Sequence, residues 1–338
     1  MSFRDSQARR REQTRQRRMR ARRARVGALG SLLVVAGILV AVVLGSASGS
    51  SSDHGQRAAT KTAKASTGQG AGHSAVISAV PVLMYHVINV APASTSASPS
   101  LYVPADEFTS QMEALKSAGW HAVTLDQLEA HWTRGASLGP GKPIVISFDG
   151  GYASQYTNAL PVLKRLGWVG VENLELDGLA PSDGGLSESQ VHGLVTAGWE
   201  LDTQGIGATD LTAVSPDEAR SEVTAARQTL RSRYRVPGNW FSYPLGHYDP
   251  TVVSAVHDAG FVGATTGLPG WAVRSQDRYR LPRIQVLGGT SGSRLLTQIA
   301  SAKANVPPPS FYTGSSASGT STAGTSTAGT ATVVTSST

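Results

Sequence analysis

The sequence predicts an α/β fold, a distorted (β/α) barrel, for one domain that spans residues 79–306 of the 338-residue chain. Short apolar runs alternate with segments in which apolar residues recur at helical spacing, and this alternation favours a parallel sheet covered by helices. Signals that start helices recur between the apolar runs. One apolar run ends on an acid, Asp149, and functional side chains of such barrels lie at the carboxyl ends of strands.

Each element is predicted from its own local pattern. Apolar runs predict strands at 80–85, 123–125, 143–148, 168–174, 199–201, 240–243 and 261–264. Helical spacing predicts helices at 105–118 and 159–166. Three later helices should begin at Ser187, Ser215 and Asp249, where a capping side chain precedes the first turn. The residues after Ser187 and Ser215 also fit the capping box.

The amino-terminal segments predict a membrane anchor. Residues 1–25 contain eleven arginines, and residues 26–45 carry no charge. Twenty apolar residues span roughly 30 Å as a helix, which matches the hydrocarbon core of a bilayer. The arginines favour a cytoplasmic N-terminus, so we expect a single-pass protein of the cell membrane with its domain outside. The alternative is a cleavable signal peptide, for which Gly45-Ser46-Ala47 offers small residues at a cleavage site.

Two low-complexity segments flank the predicted domain. Residues 46–78 are rich in Ser, Ala, Gly, Thr and Lys and predict a flexible linker, and residues 307–338 form a Ser/Thr/Gly tail. The arginines of residues 1–25 account for more than the whole net charge of +7. The basic balance therefore does not indicate nucleic-acid binding. The chain has no cysteine, so it has no disulfides.

One motif indicates a family. Residues 145–152 read VISFDGGY, which resembles the strand-end signature T/S-F-D-D-G-Y of the polysaccharide deacetylases, the NodB-homology family of carbohydrate esterases. Four further segments resemble the same family in the same order: 80–86, 108–125, 198–201 and 241–249. The resemblance covers the predicted domain and implies a NodB-type barrel that removes acetyl groups from sugars of the cell surface or wall.

The resemblance also implies a chemistry, but few of its residues are retained. The family holds a divalent metal such as zinc on one Asp and two His, and the metal lowers the pKa of its bound water toward ~7. A second Asp is the base, matched here by Asp149, and a late His is the acid. The three metal positions are occupied by Gly150, Gln204 and Ala208, and the last histidine, His257, lies too early. We therefore expect no cofactor and impaired catalysis.

The candidate site has one catalytic residue and several substrate contacts. Asp149 is the catalytic candidate; its alternative role is a polar strand end that bonds nearby backbone N–H groups. Residues predicted to contact substrate are His86, Tyr152, Tyr243, Pro244 and His247. A metal site rebuilt from Asp149, His86 and His247 is a further alternative. Three tryptophans could stack on sugar rings or belong to the core: Trp199, Trp240 and Trp271.

These observations favour a membrane-anchored extracellular protein that acts on or binds acetylated glycans of the cell envelope. Its partners would be a wall or surface polysaccharide, the membrane through its amino-terminal helix, and a possible partner protein at the envelope. Whether it is an enzyme is left open. One alternative is an active metal-dependent hydrolase of N-acetyl bonds with a rebuilt site. Another is a structural envelope protein without catalytic activity.

Overall fold

A computed structural model describes residues 77–93, 98–207, 209–303 and 308–313. The predicted cytoplasmic segment 1–25 and the predicted anchor 26–45 lie outside the described residues, as do most of the linker and of the Ser/Thr/Gly tail. Among the described residues, no helix is long and apolar enough to cross a membrane. The predicted anchor and its orientation therefore stay predictions.

The described part of the chain contains one mixed, curled sheet. Its strands are β1 (Ala79–Tyr85), β2 (Trp120–Val123), β3 (Lys142–Asp149), β4 (Val171–Leu174), β5 (Glu200–Thr203), β6 (Trp240–Ser242), β7 (Gly263–Thr265), β8 (Trp271–Val273) and β9 (Ile284–Gln285). The order is β7-β6-β5-β4-β3-β1-β8, while β2 pairs with β3 and β9 with β1. Only β8 runs antiparallel to its neighbour. The sheet curls as a half-barrel, so the predicted α/β class with a mainly parallel sheet is confirmed.

Seven α-helices of the described residues cover this sheet. They are α1 (Ala105–Ser117), α2 (Leu125–Arg134), α3 (Leu160–Leu166), α4 (Glu188–Thr196), α5 (Pro216–Thr229), α6 (Pro250–Asp258) and α7 (Gly292–Ser301). The predicted starts of three of them are confirmed. Ser187 makes a full capping box with Gln190, and Asp249 accepts a hydrogen bond from the Val252 N–H. Ser215 accepts one from the Glu218 N–H without the reciprocal bond that a capping box has.

Some predicted boundaries are wrong for identifiable reasons. The strand predicted at 123–125 ends at Val123, because Thr124 and Gln127 form a capping box that starts α2 at Leu125. The strand predicted from 168 begins at Val171, after a turn in which Gly167 adopts a left-handed conformation. Helices α2 and α7 and strands β8 and β9 were not predicted; the two strands are only two or three residues long.

Strand alternation decides which side chains reach the inner face of the curled sheet. The inner face packs Val82, Val145, Val171 and Trp240 into one apolar cluster. The other face packs against helices through residues such as Phe148. Because successive side chains of a strand point to opposite faces, Asp149 lies on the inner face with Val145, at the carboxyl end of β3. The parallel strands place the ends of β1, β4, β5 and β6 at the same edge.

Candidate functional site

Asp149 is buried and its carboxylate accepts four hydrogen bonds. The side chain is 2% exposed. Arg283 makes a two-pronged ion pair with it, with Nη1 2.7 Å from Oδ1 and Nη2 2.8 Å from Oδ2. Asn173 donates its Nδ2 to Oδ1 at 2.8 Å, and Gln204 donates its Nε2 to Oδ2 at 2.9 Å. Both carboxylate oxygens therefore have two donors each.

The charges around Asp149 keep it ionised. Burial alone would raise the pKa of the carboxyl group, but the charge and hydrogen bonds of Arg283, the proximity of His86 and the hydrogen bond from Asn173 together outweigh burial and hold the pKa below its usual range. An ionised carboxylate has the right charge for a base, yet its acceptor positions are occupied. A water molecule could reach it only if one donor moved away. The catalytic role of Asp149 stays a prediction.

Arg283 is the site residue that the sequence analysis missed. It is 1% exposed and also donates its Nε to the Thr266 carbonyl at 3.0 Å. Two parallel N–H···O bonds to a carboxylate combine charge with fixed geometry, which makes this one of the strong kinds of pair. A signal was present, because Arg283 interrupts the run Leu281-Pro282-Arg283-Ile284, and an arginine in a buried run needs a partner.

The described residues at the expected metal positions do not fit a divalent metal. Gly150 has φ +101°, and a Cβ there would lie 2.9 Å from Cε2 of Tyr152, so the Tyr152 ring lies where a carboxylate side chain would begin. The amide nitrogen of Gln204 is turned toward Asp149. Ala208 lies outside the described residues. Among the described residues, no three His, Cys, Asp or Glu side chains are grouped so that they could hold a metal ion.

His86 belongs to the same site electrostatically. It follows β1 and is half-buried. Burial lowers the pKa of His86; the Asp149 carboxylate opposes this shift and Arg283 adds to it. Its Nδ1 is buried, and within the described part of the chain it has no hydrogen-bond partner. His86 is therefore a neutral imidazole beside an ion pair, and its substrate contact stays a prediction.

The remaining predicted contacts are spread around the carboxyl ends of the strands. Tyr152 is half-buried beside Gly150. Tyr243 is fully buried, and its hydroxyl donates to the Tyr279 carbonyl at 2.9 Å, so a contact with substrate would have to use its backbone. Pro244 is likewise buried. Their contacts with substrate stay predictions.

His247 lies beside a different acid. Its Nδ1 is 2.9 Å from Oδ2 of Asp210, and the two side chains are 17% and 28% exposed. Burial acts to raise the pKa of Asp210, but hydrogen bonds from Thr212 and His247 lower it on balance. Because His247 pairs with Asp210, and Asp149 with other residues, the described geometry gives no support to a metal site shared by His86, Asp149 and His247.

The three tryptophans differ in burial. Trp199 is 4% and Trp240 1% exposed, so both are core residues. Trp271 is half-buried, and its indole N–H donates to the Ile299 carbonyl at 2.9 Å.

Comparison with known proteins indicates one family. The polysaccharide deacetylase family model matches residues 137–264. A protein of Bacillus subtilis strain 168 named "Putative polysaccharide deacetylase YxkH" is 29% identical over 224 residues, which cover 66% of this chain and 77% of the relative. The segment that the family model matches contains Asp149, Gly150 and Gln204 but ends before Arg283.

Solved structures show the same fold. The Streptococcus pyogenes deacetylase PplD, solved with acetate, superposes with a TM-score of 0.60 at 24% identity, covering 65% of this chain and 98% of that one. A de-N-acetylase of Aggregatibacter actinomycetemcomitans superposes with a TM-score of 0.57 at 16% identity, covering 65% and 100%. At these identities the similarity shows the fold alone.

Proposed function

The chain carries a polysaccharide deacetylase domain of the NodB-homology family, and from this premise we propose that it binds an acetylated glycan of the cell envelope and releases acetate very slowly or not at all. The observation that carries the proposal is the state of Asp149. Its carboxylate is held by Arg283, Asn173 and Gln204, and the neighbouring metal position is a glycine. Without a metal, water keeps a pKa near 15.7 and is a poor nucleophile at neutral pH.

The proposal includes a location. Residues 26–45 would anchor the chain in the cell membrane, the arginines of residues 1–25 would stay in the cytoplasm, and residues 46–78 would hold the domain away from the outer surface of the membrane. The glycan would then be a polysaccharide of the wall or the cell surface. At this location the domain would also be accessible to a partner protein of the envelope.

Metal content and acetate release test the proposal directly. The purified chain would be incubated with zinc, desalted and measured for bound metal, and then incubated with acetylated chito-oligosaccharides and peptidoglycan fragments. We expect no stoichiometric metal, no acetate above the rate in buffer, and measurable binding of an acetylated oligosaccharide. Bound metal with turnover that Asp149→Asn abolishes would show an active, rebuilt hydrolase. If the chain shows neither turnover nor binding, the remaining function is a structural one.

Restoring the family's ligands provides a sharper variant of this test. The triple variant Gly150→Asp, Gln204→His and Ala208→His supplies all three ligand types. We expect it to bind zinc poorly, because the new side chain at 150 meets the Tyr152 ring and sits at a positive φ that disfavours non-glycine residues. Adding Tyr152→Ala should raise the bound zinc several-fold. Full zinc binding by the triple variant alone would contradict this account of the site.

A further inference from the structure

Two tryptophans meet at the end of the sheet that lies opposite Asp149. Trp120 begins β2 and Trp271 begins β8, and their ring centres are 5.9 Å apart in an edge-to-face arrangement. Trp120 is in register with Lys142, the first residue of β3, whereas Asp149 is the last. Seven residues of extended strand at about 3.3 Å each separate these two ends by roughly 23 Å. We call Trp120 and Trp271 the indole pair.

A lysine lies against each ring of the indole pair. Lys142 Nζ is 5.5 Å from the ring centre of Trp120, and Lys303 Nζ is 5.1 Å from that of Trp271. Both lysines are exposed, and neither has an acidic partner within the described residues. Lys142 donates one N–H to the Ala118 carbonyl at 3.0 Å, which leaves its charge unpaired. Two positive charges therefore border a pair of half-buried aromatic rings.

The segments around the indole pair lack negative charge. No Asp or Glu occurs in residues 116–123, 134–146, 267–276 and 282–303, which include the indole pair, its two lysines and helix α7. Glu113 and Asp277 flank these segments, and each is already paired, with Arg165 at 3.7 Å and with Arg280 at 3.2 Å. An anionic ligand would therefore meet attraction here without nearby repulsion.

A cavity of about 420 Å³ lies beside the same end of α7. Its lining contains no acid, and its neutral polar side chains include Gln285, Gln298 and Ser301. The Trp271 indole N–H donates to the Ile299 carbonyl at 2.9 Å, so the last turn of α7 contacts the indole pair and also lines the cavity. Arg283 lines the cavity too, but its guanidinium is bonded to Asp149. Amides and hydroxyls both donate and accept, as the hydroxyl groups of a sugar require.

We propose that the indole pair, its two lysines and this cavity form a second glycan-binding surface, which binds a polysaccharide whose rings carry carboxylate groups. The sugar rings would lie against Trp120 and Trp271, and their carboxylates would pair with Lys142 and Lys303. Each lysine is close to its indole, which favours an acid attached directly to the ring over a phosphate on a flexible arm. Such a surface would retain the domain on an acidic polymer of the envelope without any part for Asp149.

A membrane fits this surface less well than a polysaccharide. Binding to a bilayer surface needs apolar side chains that enter the lipid as well as cations. The large exposed hydrophobic side chains of the described residues lie elsewhere: Val90, Leu179, Leu245, Leu287 and Phe311. The first four of these belong to loops after the carboxyl ends of β1, β4, β6 and β9.

Oligogalacturonate, which has a carboxylate on every ring, tests the inference with its uncharged methyl ester as the matched ligand. Both would be titrated by calorimetry into the full chain at pH 7, and we expect only the acid to bind, more weakly as salt is added. The eleven arginines of residues 1–25 attract any polyanion, so differences between variants locate the surface. Lys142→Gln with Lys303→Gln should weaken binding about ten-fold, or about three-fold for each exposed charge.

Two further variants separate the surface from general attraction. Trp120→Leu, checked for an unchanged fold by its unfolding transition, should weaken binding at least three-fold, because an aromatic contact is lost. Arg220→Gln with Arg231→Gln removes two exposed charges from α5 and the turn after it, four strands away from β1 in the sheet. This control should bind oligogalacturonate as the unchanged chain does.

Several results would overturn the inference. Equal binding of the acid and its methyl ester would show that charge is not recognised, and equal affinities of the two-lysine and two-arginine variants would place the binding elsewhere on the chain. An unchanged affinity of Trp120→Leu would remove the ring contact. If inorganic polyphosphate displaces oligogalacturonate as well as free oligogalacturonate does, the surface recognises polyanions in general. The proposed function stands in each case, because none of these variants alters the Asp149 site.

Discussion

The two ends of the sheet each bury a carboxyl group, but they neutralise it in different ways. At the carboxyl ends of the parallel strands, Asp149 keeps its charge because Arg283 supplies the opposite one. Toward the amino-terminal end, Glu200 and Asp202 lie on the same face of β5, and the pKa values of both carboxyl groups are raised. Burial and then the Asp126 charge raise the pKa of Glu200 to about 7, and burial raises that of Asp202 well above its usual value. The stability that a buried carboxyl group contributes can thus depend on a paired arginine or on pH.

The surroundings of the second site explain why it can titrate. Glu200 accepts the Asp126 N–H at 2.8 Å, and Asp202 accepts the Trp240 N–H at 3.0 Å, so both acids have fixed positions. A cavity of about 340 Å³ is lined by Asp126, Glu200, Asp202 and Asn239. No lysine or arginine lines this cavity. Within the described structure the two acids are therefore neutralised by protonation and not by a cation.

Removing the arginine should have the largest effect on the comparison. In Arg283→Met the Asp149 carboxylate stays buried without its counter-charge, and breaking a buried pair from one side costs about 3–5 kcal/mol. We expect a loss of this size in the free energy of unfolding at pH 7, measured by urea denaturation. The double variant Arg283→Met with Asp149→Leu should recover most of it, because no charge is left unpaired.

The exposed pair of Arg165 and Glu113 is the control for that experiment. Their charged atoms are 3.7 Å apart and the side chains are 55% and 60% exposed. The free energy of unfolding of Arg165→Met should stay within about 0.5 kcal/mol of that of the unchanged protein, because exposed ion pairs usually contribute little. A loss below about 1 kcal/mol in Arg283→Met would mean that Asp149 is neutralised by something other than Arg283.

The second prediction concerns pH at the opposite end. Because the pKa of Glu200 is raised in the folded state, folding favours the protonated form. Its contribution to stability is fully present below the ordinary pKa of 4.5, declines as pH rises and is lost above about 7. Glu200→Gln keeps a neutral side chain at every pH. We expect it to flatten the fall in unfolding free energy between pH 5 and pH 8 by on the order of 2 kcal/mol.

Glu113→Gln is the matched control, since Glu113 is exposed and should leave the pH profile unchanged. The position of the fall also carries information. If the unchanged protein shows no loss of stability across this range, or if Glu200→Gln leaves the slope intact, folding does not favour protonated Glu200 and the contrast between the two ends disappears.

How far the sequence predicted these features depends on the range of the interaction. The helix starts at Ser187 and Asp249 could be predicted, because each capping side chain bonds a backbone N–H only three residues further along the chain. The prediction that a strand continues through Leu125 was wrong. The Thr124 hydroxyl accepts a hydrogen bond from the Gln127 N–H and starts a helix, and a run of apolar residues does not reveal this bond. Strands of two or three residues such as β9 give no periodicity to detect.

The site shows the same limit more strongly. The motif placed Asp149 at a strand end, and its burial on the inner face followed from alternation. Its partner Arg283 lies more than 130 residues away, so only the fold brings the two together. Gln204 could be aligned with a metal position, but that its amide points at Asp149 is a fact of tertiary structure. Likewise, Glu200 and Asp202 form a pair only because both face inward from one strand.

The smallest effect belongs to backbone strain, which both ends contain. Leu245, just after the carboxyl end of β6, and Arg235, before its amino end, are the non-glycine residues with positive φ in the described structure, at 58° and 59°. Glycine would relieve the strain at either position but also raise the conformational entropy of the unfolded chain, so we expect a net gain of only about 0.5 kcal/mol in the free energy of unfolding of each variant.

Oligosaccharide binding should distinguish the Leu245→Gly variant from the Arg235→Gly variant. Leu245→Gly should weaken binding at least two-fold although the fold is more stable, because an apolar contact is lost, whereas Arg235→Gly should leave affinity unchanged. Equal affinities would mean that the strain at Leu245 serves the turn alone and that the two ends do not differ in this respect.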